Sequence, residues 1–457
     1  MSVAVSRSEA EEQLSRQFAT VASSLPGGDW VPAARSKAMK LFDRSGLPHR
    51  RIEEWKYTDL RAVLRSAFPR AGESRHALDG SKLVEALGAE FAGLACIRLV
   101  LVNGRFVKSF IPAGSEPGTS YDFNTLADVL QGPGHDWVRA LFEAERETAA
   151  VSALNTAFVT DGIALRVSEG QTVELPIHIV SIVDSDQPAA VATRNYIRVD
   201  AGARVTIIES HLGVSTGANE RQATAVTQIS VGDGSEVQHI QHLAGGADAI
   251  HLGRWDVELA AEAVYRGFQL TAGMGLARNE SYVRFTGPDA KLDLSGLMLG
   301  RGRDHIDTTL VVDHTTTGCE GRELFKSVLD DRARAVFQGK VIVAPEAQKT
   351  DGKQMAQALM LSPDAEFDSK PELEIYADDV ACGHGSTAAE LDPDMLFYLR
   401  ARGLPLEKAR ELLIESFTSE ALEKIDSEAI RAAARAVVLA WLGVTWRLDD
   451  DSEGAVR

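Results

Sequence analysis

Between residues 160 and 390 one short pattern keeps returning. It is a turn, a small residue in third place and, as a rule, a larger apolar residue in fifth. It reads Ala201-Gly202-Ala203-Arg204-Val205, Asp233-Gly234-Ser235-Glu236-Val237 and Ala261-Glu262-Ala263-Val264-Tyr265. It returns as Pro288-Asp289-Ala290-Lys291-Leu292, Asp331-Arg332-Ala333-Arg334-Ala335 and Pro363-Asp364-Ala365-Glu366-Phe367. The starts lie 32, 28, 27, 43 and 32 residues apart. A small inward residue at a recurring corner suits stacked β-coils, each burying its apolar face on the next. The turns of a β-sandwich also recur, so the pattern alone admits either a solenoid or a sandwich.

Helical texture flanks this stretch, which divides the chain into 1–155, 156–390 and 391–457. In the first part, Leu60, Val63, Leu64 and Phe68 fall at helical intervals. Cys96 to Val102 followed by Asn103-Gly104 reads as a strand entering a tight hairpin turn. Asn124 is placed to cap a helix, and residues 125–155 read helical with a break at Gly132-Pro133-Gly134. In the last part, Asp392 is a good N-cap, Pro393 suits the first helical position and Gly403 a left-handed stop. A second helix opens at Pro405 with Leu406, Ala409, Leu413 and Phe417 on one face. A third carries Ile430, Ala433, Val437 and Trp441. Residues 449–457 form a polar tail.

The chain has 457 residues and a net charge of −18. That balance argues against nucleic acid or an anionic membrane as the main partner. Cys96, Cys319 and Cys382 lie too far apart to read as a disulfide framework, which favours a reducing compartment. No signal-peptide core opens the chain, and no apolar run reaches the ~18–20 residues of a membrane span. A cytoplasmic location is expected.

The strongest chemical candidates are Cys382 and His384. Two apart on a strand, they share a face, and Gly383 and Gly385 leave room for another backbone. A thiolate and an imidazole suit zinc, copper or iron–sulfur species. A closed metal site wants about four ligands, so the pair is either structural or completed by another chain. His305, His314 and Cys319 resemble a cluster on paper, but the two histidines fall on opposite faces of a continuous strand. His239 and His242 split likewise, as in a solvated polar strand. Asp330-Asp331 and Asp378-Asp379 are adjacent pairs, whose members face opposite ways. Gly273-Met274-Gly275 lies in a loop with no Lys-Ser/Thr after it, so no P-loop binds ATP here.

Several motifs together resemble a known family. They are Arg322-Glu323-Leu324-Phe325-Lys326, Ala335-Val336-Phe337-Gln338-Gly339-Lys340 and Lys349-Thr350-Asp351-Gly352. The run 370–380, His384-Gly385-Ser386-Thr387, the run 396–403 and Glu53-Glu54-Trp55-Lys56-Tyr57-Thr58 complete the set. They resemble the SufB/SufD family of iron–sulfur cluster assembly scaffolds, on its SufD branch. The likeness covers most of the chain. SufB-like sequences carry a further cysteine near residues 354–358, where this chain has none. Ala358 departs from a frequent Asn, and Ala388-Ala389 from a Val-Gly.

The resemblance implies a mainly β fold, a right-handed parallel β-helix core flanked by N-terminal and C-terminal helical domains. It implies a heterodimer with SufB and docking of the ATPase SufC on the C-terminal helices. Partner contacts are then expected at Leu396, Phe397, Leu413 and Phe417, with self-pairing of the isolated chain an open alternative. It also implies a non-catalytic scaffold with a transient iron–sulfur cluster shared at the SufB–SufD interface. His384 lies there, and Cys382 matches a family cysteine of less defined role. Two rival readings are a structural adaptor that does not touch the cluster and a β-helix enzyme acting on polysaccharides.

Overall fold

In the computed structural model, residues 7–74, 80–132, 136–143, 150–214 and 220–443 are described. Residues 133–135 and the tail 449–457 lie outside them, and so do the expectations placed there. The centre is a parallel β-solenoid of about eight turns with helices at both chain ends. Each coil gives one strand to each of two facing sheets. Among the described residues these sheets hold ten and nine strands. Pairing is parallel and in register from coil to coil, so each inward position stacks on the same position of the coil below. Ile197, Ile229, Val257, Val283, Val312, Val341 and Leu373 form one such column.

The recurring motif marks the corners. Ala203, Ser235, Ala263, Ala290 and Ala333 are fully buried and Ala365 nearly so. Cys319 and Thr350 occupy equivalent corners and are also buried. The uneven spacing has a geometric cause, because the motif combines two edges of the solenoid. On one edge the chain turns at Gly202, Gly234, Glu262, Asp289, Gly318 and Lys349, all with φ between 57° and 73°. Each of these immediately precedes the buried small residue. On the opposite edge Gly302 and Asp331 take the left-handed turn, with φ of 66° and 54°, two residues before the buried Asp304 and Ala333. The 43-residue step from Pro288 to Asp331 is a change of edge.

Helices cover both outer faces. Those around Val31–Ser45, Leu126–Gln131 and Ala150–Phe158 bury Val31, Phe42, Leu126 and Leu154 with Ala164, Tyr196, Leu252 and Leu276 of the nine-stranded sheet. On the ten-stranded sheet, Ile208, Ile240, Phe268 and Leu297 meet Phe91, Ile414, Leu422 and Val438. The hairpin at Asn103-Gly104 forms as expected, with φ of 50° and 72°. Its strand Ile97–Val102 and the strand Tyr121–Thr125 already belong to the two sheets.

Some helical expectations are corrected. Residues 60–68 hold only a single turn, Leu60–Val63, because Leu64 leaves helical geometry at ψ 84°. Asn124 lies in a strand, and the cap is Thr125, whose hydroxyl accepts from the Asp128 amide at 3.1 Å. Gly273 is a left-handed bend, but Met274 and Gly275 open the strand Met274–Phe285. At the other end Asp392, Pro393 and Gly403 take their expected places. No helix among the described residues is long and apolar enough to cross a membrane.

Candidate functional site at the open end of the solenoid

The two ends of the solenoid differ. At the start, short antiparallel strands close the sheets. At the finish, the strand Ala381–Ala389 pairs only with Asp351–Met360, and Glu366–Ile375 only with its preceding neighbour. Each therefore presents an unpaired edge nine or ten residues long. Long unpaired edges invite pairing with another chain.

Cys382 and His384 sit on this last strand, in register with Gly352 and Gln354. Cys382 is half-buried against the interior core, whereas His384 is exposed. Burial pushes the Cys382 thiol up, with Asp351 and Glu323 adding to it and a backbone hydrogen bond opposing. It is therefore a protonated thiol rather than an activated thiolate at neutral pH. Gly383 faces open space. Gly385 does not leave room for a foreign backbone as expected, because the Met355 methyl lies 2.7 Å from where its Cβ would be.

Among the described residues no group of three or more His, Cys, Asp or Glu side chains could hold a metal ion. Cys382 and His384 are two donors without a third beside them among the described residues, so a closed soft-metal site here would have to draw its other ligands from elsewhere. His305 and His314 are not part of it. They face opposite ways on His305–His314, as parity requires: His314 is buried and stacked on Phe285, while His305 bonds the Thr58 hydroxyl at 2.9 Å. His239 and His242 also split, but both are buried rather than solvated. His239 stacks inward on Trp255 at 3.9 Å and His242 outward on Phe91 at 4.5 Å.

The C-terminal helices offer a second surface. On Pro393–Ala401, Phe397 is 74% exposed, with Met395 and Tyr398 beside it and Leu406 and Leu412 on the next helix. Leu396 and Leu413 are half-buried. Phe417 does not belong to this surface. It packs against the solenoid, with Lys326 4.3 Å from its ring centroid. The buried face of that helix runs through Ala409, Ile414, Thr418 and Ala421, which turns Phe417 toward its own sheet.

Two features escape motif reading. Behind the terminal pair lie Glu323, Gln354 and His314, all buried inside the solenoid. The signal available was two polar residues, Glu323 and Gln354, at inward positions of strands whose other inward residues are mostly small or apolar. The second is a clip formed by residues 53–55. Arg278 donates to the Glu54 carbonyl at 2.8 Å, Gln338 to the same oxygen at 3.2 Å, and Lys370 to Glu53 at 2.6 Å.

The model of the SUF system FeS cluster assembly SufBD core domain matches residues 181–417, and that of the SufBD protein N-terminal region matches residues 9–179. The chain belongs to the SufBD family. It is 30% identical over 407 residues to the iron–sulfur cluster assembly protein SufD of Escherichia coli, covering 88% of this chain and 90% of that one. It is also 30% identical over 416 residues to an iron–sulfur cluster assembly SufBD family protein of Synechocystis sp., covering 88% and 89%. A chloroplastic protein of Arabidopsis thaliana, ABCI7, is 27% identical over 427 residues, covering 91% and 86%. The two matches take in both sheets with their last strands, the N-terminal helices, the helix Pro393–Ala401 and most of Leu406–Leu422.

Proposed function

We propose that this chain is a non-catalytic, SufD-type scaffold subunit that pairs end to end with SufB and docks the ATPase SufC. The reading rests on one observation above all: an exposed imidazole and a half-buried thiol sit on the terminal, unpaired strand of a solenoid. A partner solenoid placed against that edge would extend both sheets and bring its own donors to His384 and Cys382. The iron–sulfur cluster is cargo, assembled at the junction and passed on. His384 supplies a nitrogen donor, and Cys382 a sulfur donor once deprotonated.

The exposed apolar face of Met395, Phe397, Tyr398, Leu406 and Leu412 is the SufC contact in this reading. ATP then acts through its differential affinity for two arrangements of the docked subunits, which the C-terminal helices pass to the solenoid pair. We place the chain in the cytoplasm.

The test is His384→Ala in the co-purified complex. Anaerobic reconstitution with ferrous iron and sulfide should load far less cluster than wild type, while complex composition stays the same. Unchanged loading would remove His384 from the site. If Cys382→Ala were silent as well, the adaptor reading would replace this one.

A further inference from the structure

The interior behind the terminal pair is polar, and its polar groups lack partners. The registers stack Gly321, Gly352 and Cys382 in one inward column and Glu323, Gln354 and His384 in the next. His314 reaches the same space from the facing sheet. Glu323 and Gln354 are 3% exposed and His314 is fully buried. Both carboxyl oxygens of Glu323, both amide atoms of Gln354 and both ring nitrogens of His314 lack a hydrogen-bond partner. Buried polar atoms are rarely left so, and where the space is polar and roomy enough water meets them.

Two glycines keep side chains out of the column that leads to Cys382. A methyl group on Gly352 would touch only Cys382 Sγ at 3.6 Å and Val341 Cγ1 at 3.8 Å. One on Gly321 would meet Glu323 Oε1 at 3.0 Å and His314 Nε2 at 3.4 Å. These positions are one strand spacing apart, ~4.8 Å. Neither glycine puts a side chain between the Glu323 carboxyl and the Cys382 sulfur, a span that one or two waters would bridge.

The column is uncharged. Burial pushes the Glu323 carboxyl up to about 8, against the pull of Arg322 and with a small push from Asp293, both of which act from outside the interior. Burial pulls His314 down to about 4. The other titratable groups facing this space are Cys382 and His384 at its mouth. A neutral carboxyl is a hydrogen-bond donor, and a metal-bound sulfur is tuned by the donors behind it.

We propose that Glu323 is a positioning residue for the terminal pair: its carboxyl donates, through water held along the Gly321–Gly352 column, toward the Cys382 sulfur when that sulfur carries cargo. The O–H proton stays on Glu323 throughout. The role of Cys382 here rests on the scaffold reading above, whereas the neutral carboxyl and the bridging water stand without it.

The test uses the full chain, alone and with its partner. Infrared spectra of the full chain at neutral pH should contain a protonated-carboxyl C=O band that is missing from E323Q, and a crystal structure should show ordered water between Gly321 and Cys382. In anaerobic reconstitution of the complex with ferrous iron and sulfide, E323L should lower cluster loading about tenfold, the lower end for loss of an outer-shell partner. E323Q, which keeps a donor, should restore most of that loss, and G352A, which obstructs the column, should behave like E323L. Thermal denaturation of E323L and G352A establishes that both are folded. Absence of a band assignable to Glu323 overturns the proposal, and so does E323Q falling as far as E323L. If instead His384→Ala left loading unchanged while the band and the water persisted, the scaffold reading would fail and the neutral carboxyl would stand.

Discussion

The guanidinium carbon of Arg278 lies 3.9 Å from the ring centroid of Trp55, with both residues buried where the N-terminal region meets the solenoid. Arg278 is also paired with Asp307 and Glu280 and bonded to the Glu54 carbonyl. One guanidinium thus ties a loop to two successive coils.

Trp55→Ala should destabilise the chain by about 3 kcal/mol, from lost aromatic burial and a desolvated cation–π contact. Arg278→Met should cost about as much or more, because it leaves Asp307 buried without its counter-charge. Urea denaturation of the two variants and their double mutant would also give their coupling, which should be well above zero for residues in contact.

Glu209 governs acid stability. Its carboxylate accepts from Asn195 at 2.9 Å, Thr227 at 2.6 Å and Trp255 at 3.2 Å, with His239 at 3.5 Å. Burial opposes its ionisation, but His211 and His239 outweigh it and hold the group well below the usual carboxylate range. A depressed folded-state value means stability that is present above the unfolded value and lost as pH falls through the folded one. Glu209→Gln should be less stable at neutral pH and show a shallower loss on acidification. Denaturation midpoints measured across the carboxylate range would check this.

Glu323 should act with the opposite sign. The folded chain keeps its proton up to about pH 8, while the unfolded chain releases it near 4.5. Stability from this group is complete below the lower value, falls as pH rises between the two, and is level above the upper one. The stability of Glu323→Gln relative to wild type should therefore improve with pH across that interval and then plateau, as read from chemical denaturation at a series of pH values.

Phe397 is exposed enough to change without harming the fold. Phe397→Asp should leave stability within about 0.5 kcal/mol of wild type, as for surface substitutions generally. Co-purification of the ATPase should nonetheless drop sharply. Retained co-purification would move the docking surface elsewhere.

The corners should resist enlargement. Ala263 is fully buried directly after a left-handed residue. Ala263→Leu should cost about 1–3 kcal/mol through overpacking, seen as a lowered thermal midpoint.

Much of this architecture is written locally. Ala203, Ala263 and Ala290 mark corners because only a small side chain fits where two sheets converge, and that constraint recurs at each coil. What the linear pattern conceals is which edge a corner belongs to. The left-handed residue stands one place before the small one at Asp289 and two at Asp331, and Ala365, on the same edge as Ala333, has none before it. Cys319 resembles a ligand beside His314 only on paper, as its place at a corner that alanine fills elsewhere bears out.

The site was legible to the same degree. Parity separated His305 from His314 and placed Cys382 with His384, because strand alternation is a local rule. Exposure is not local. Gln238 to His242 read as solvated although helices and sheet bury them, and the resemblance implies a partner contact at Phe417 although its helix turns it toward its own sheet. The relation of Glu323 and Gln354 to the terminal pair depends on the register of three coils, which residues some 30 positions apart do not announce.

The contrast between the two ends of the solenoid limits how such chains can join. The first strands to leave the stack, Arg105–Phe110 and Tyr121–Thr125, are six and five residues long and run against their neighbours. A second body meeting the long edges therefore finds nothing equivalent to continue from on the far side. Joining through the long edges would therefore stop at two and give a closed pair, where a solenoid open at both ends would polymerise into a fibre.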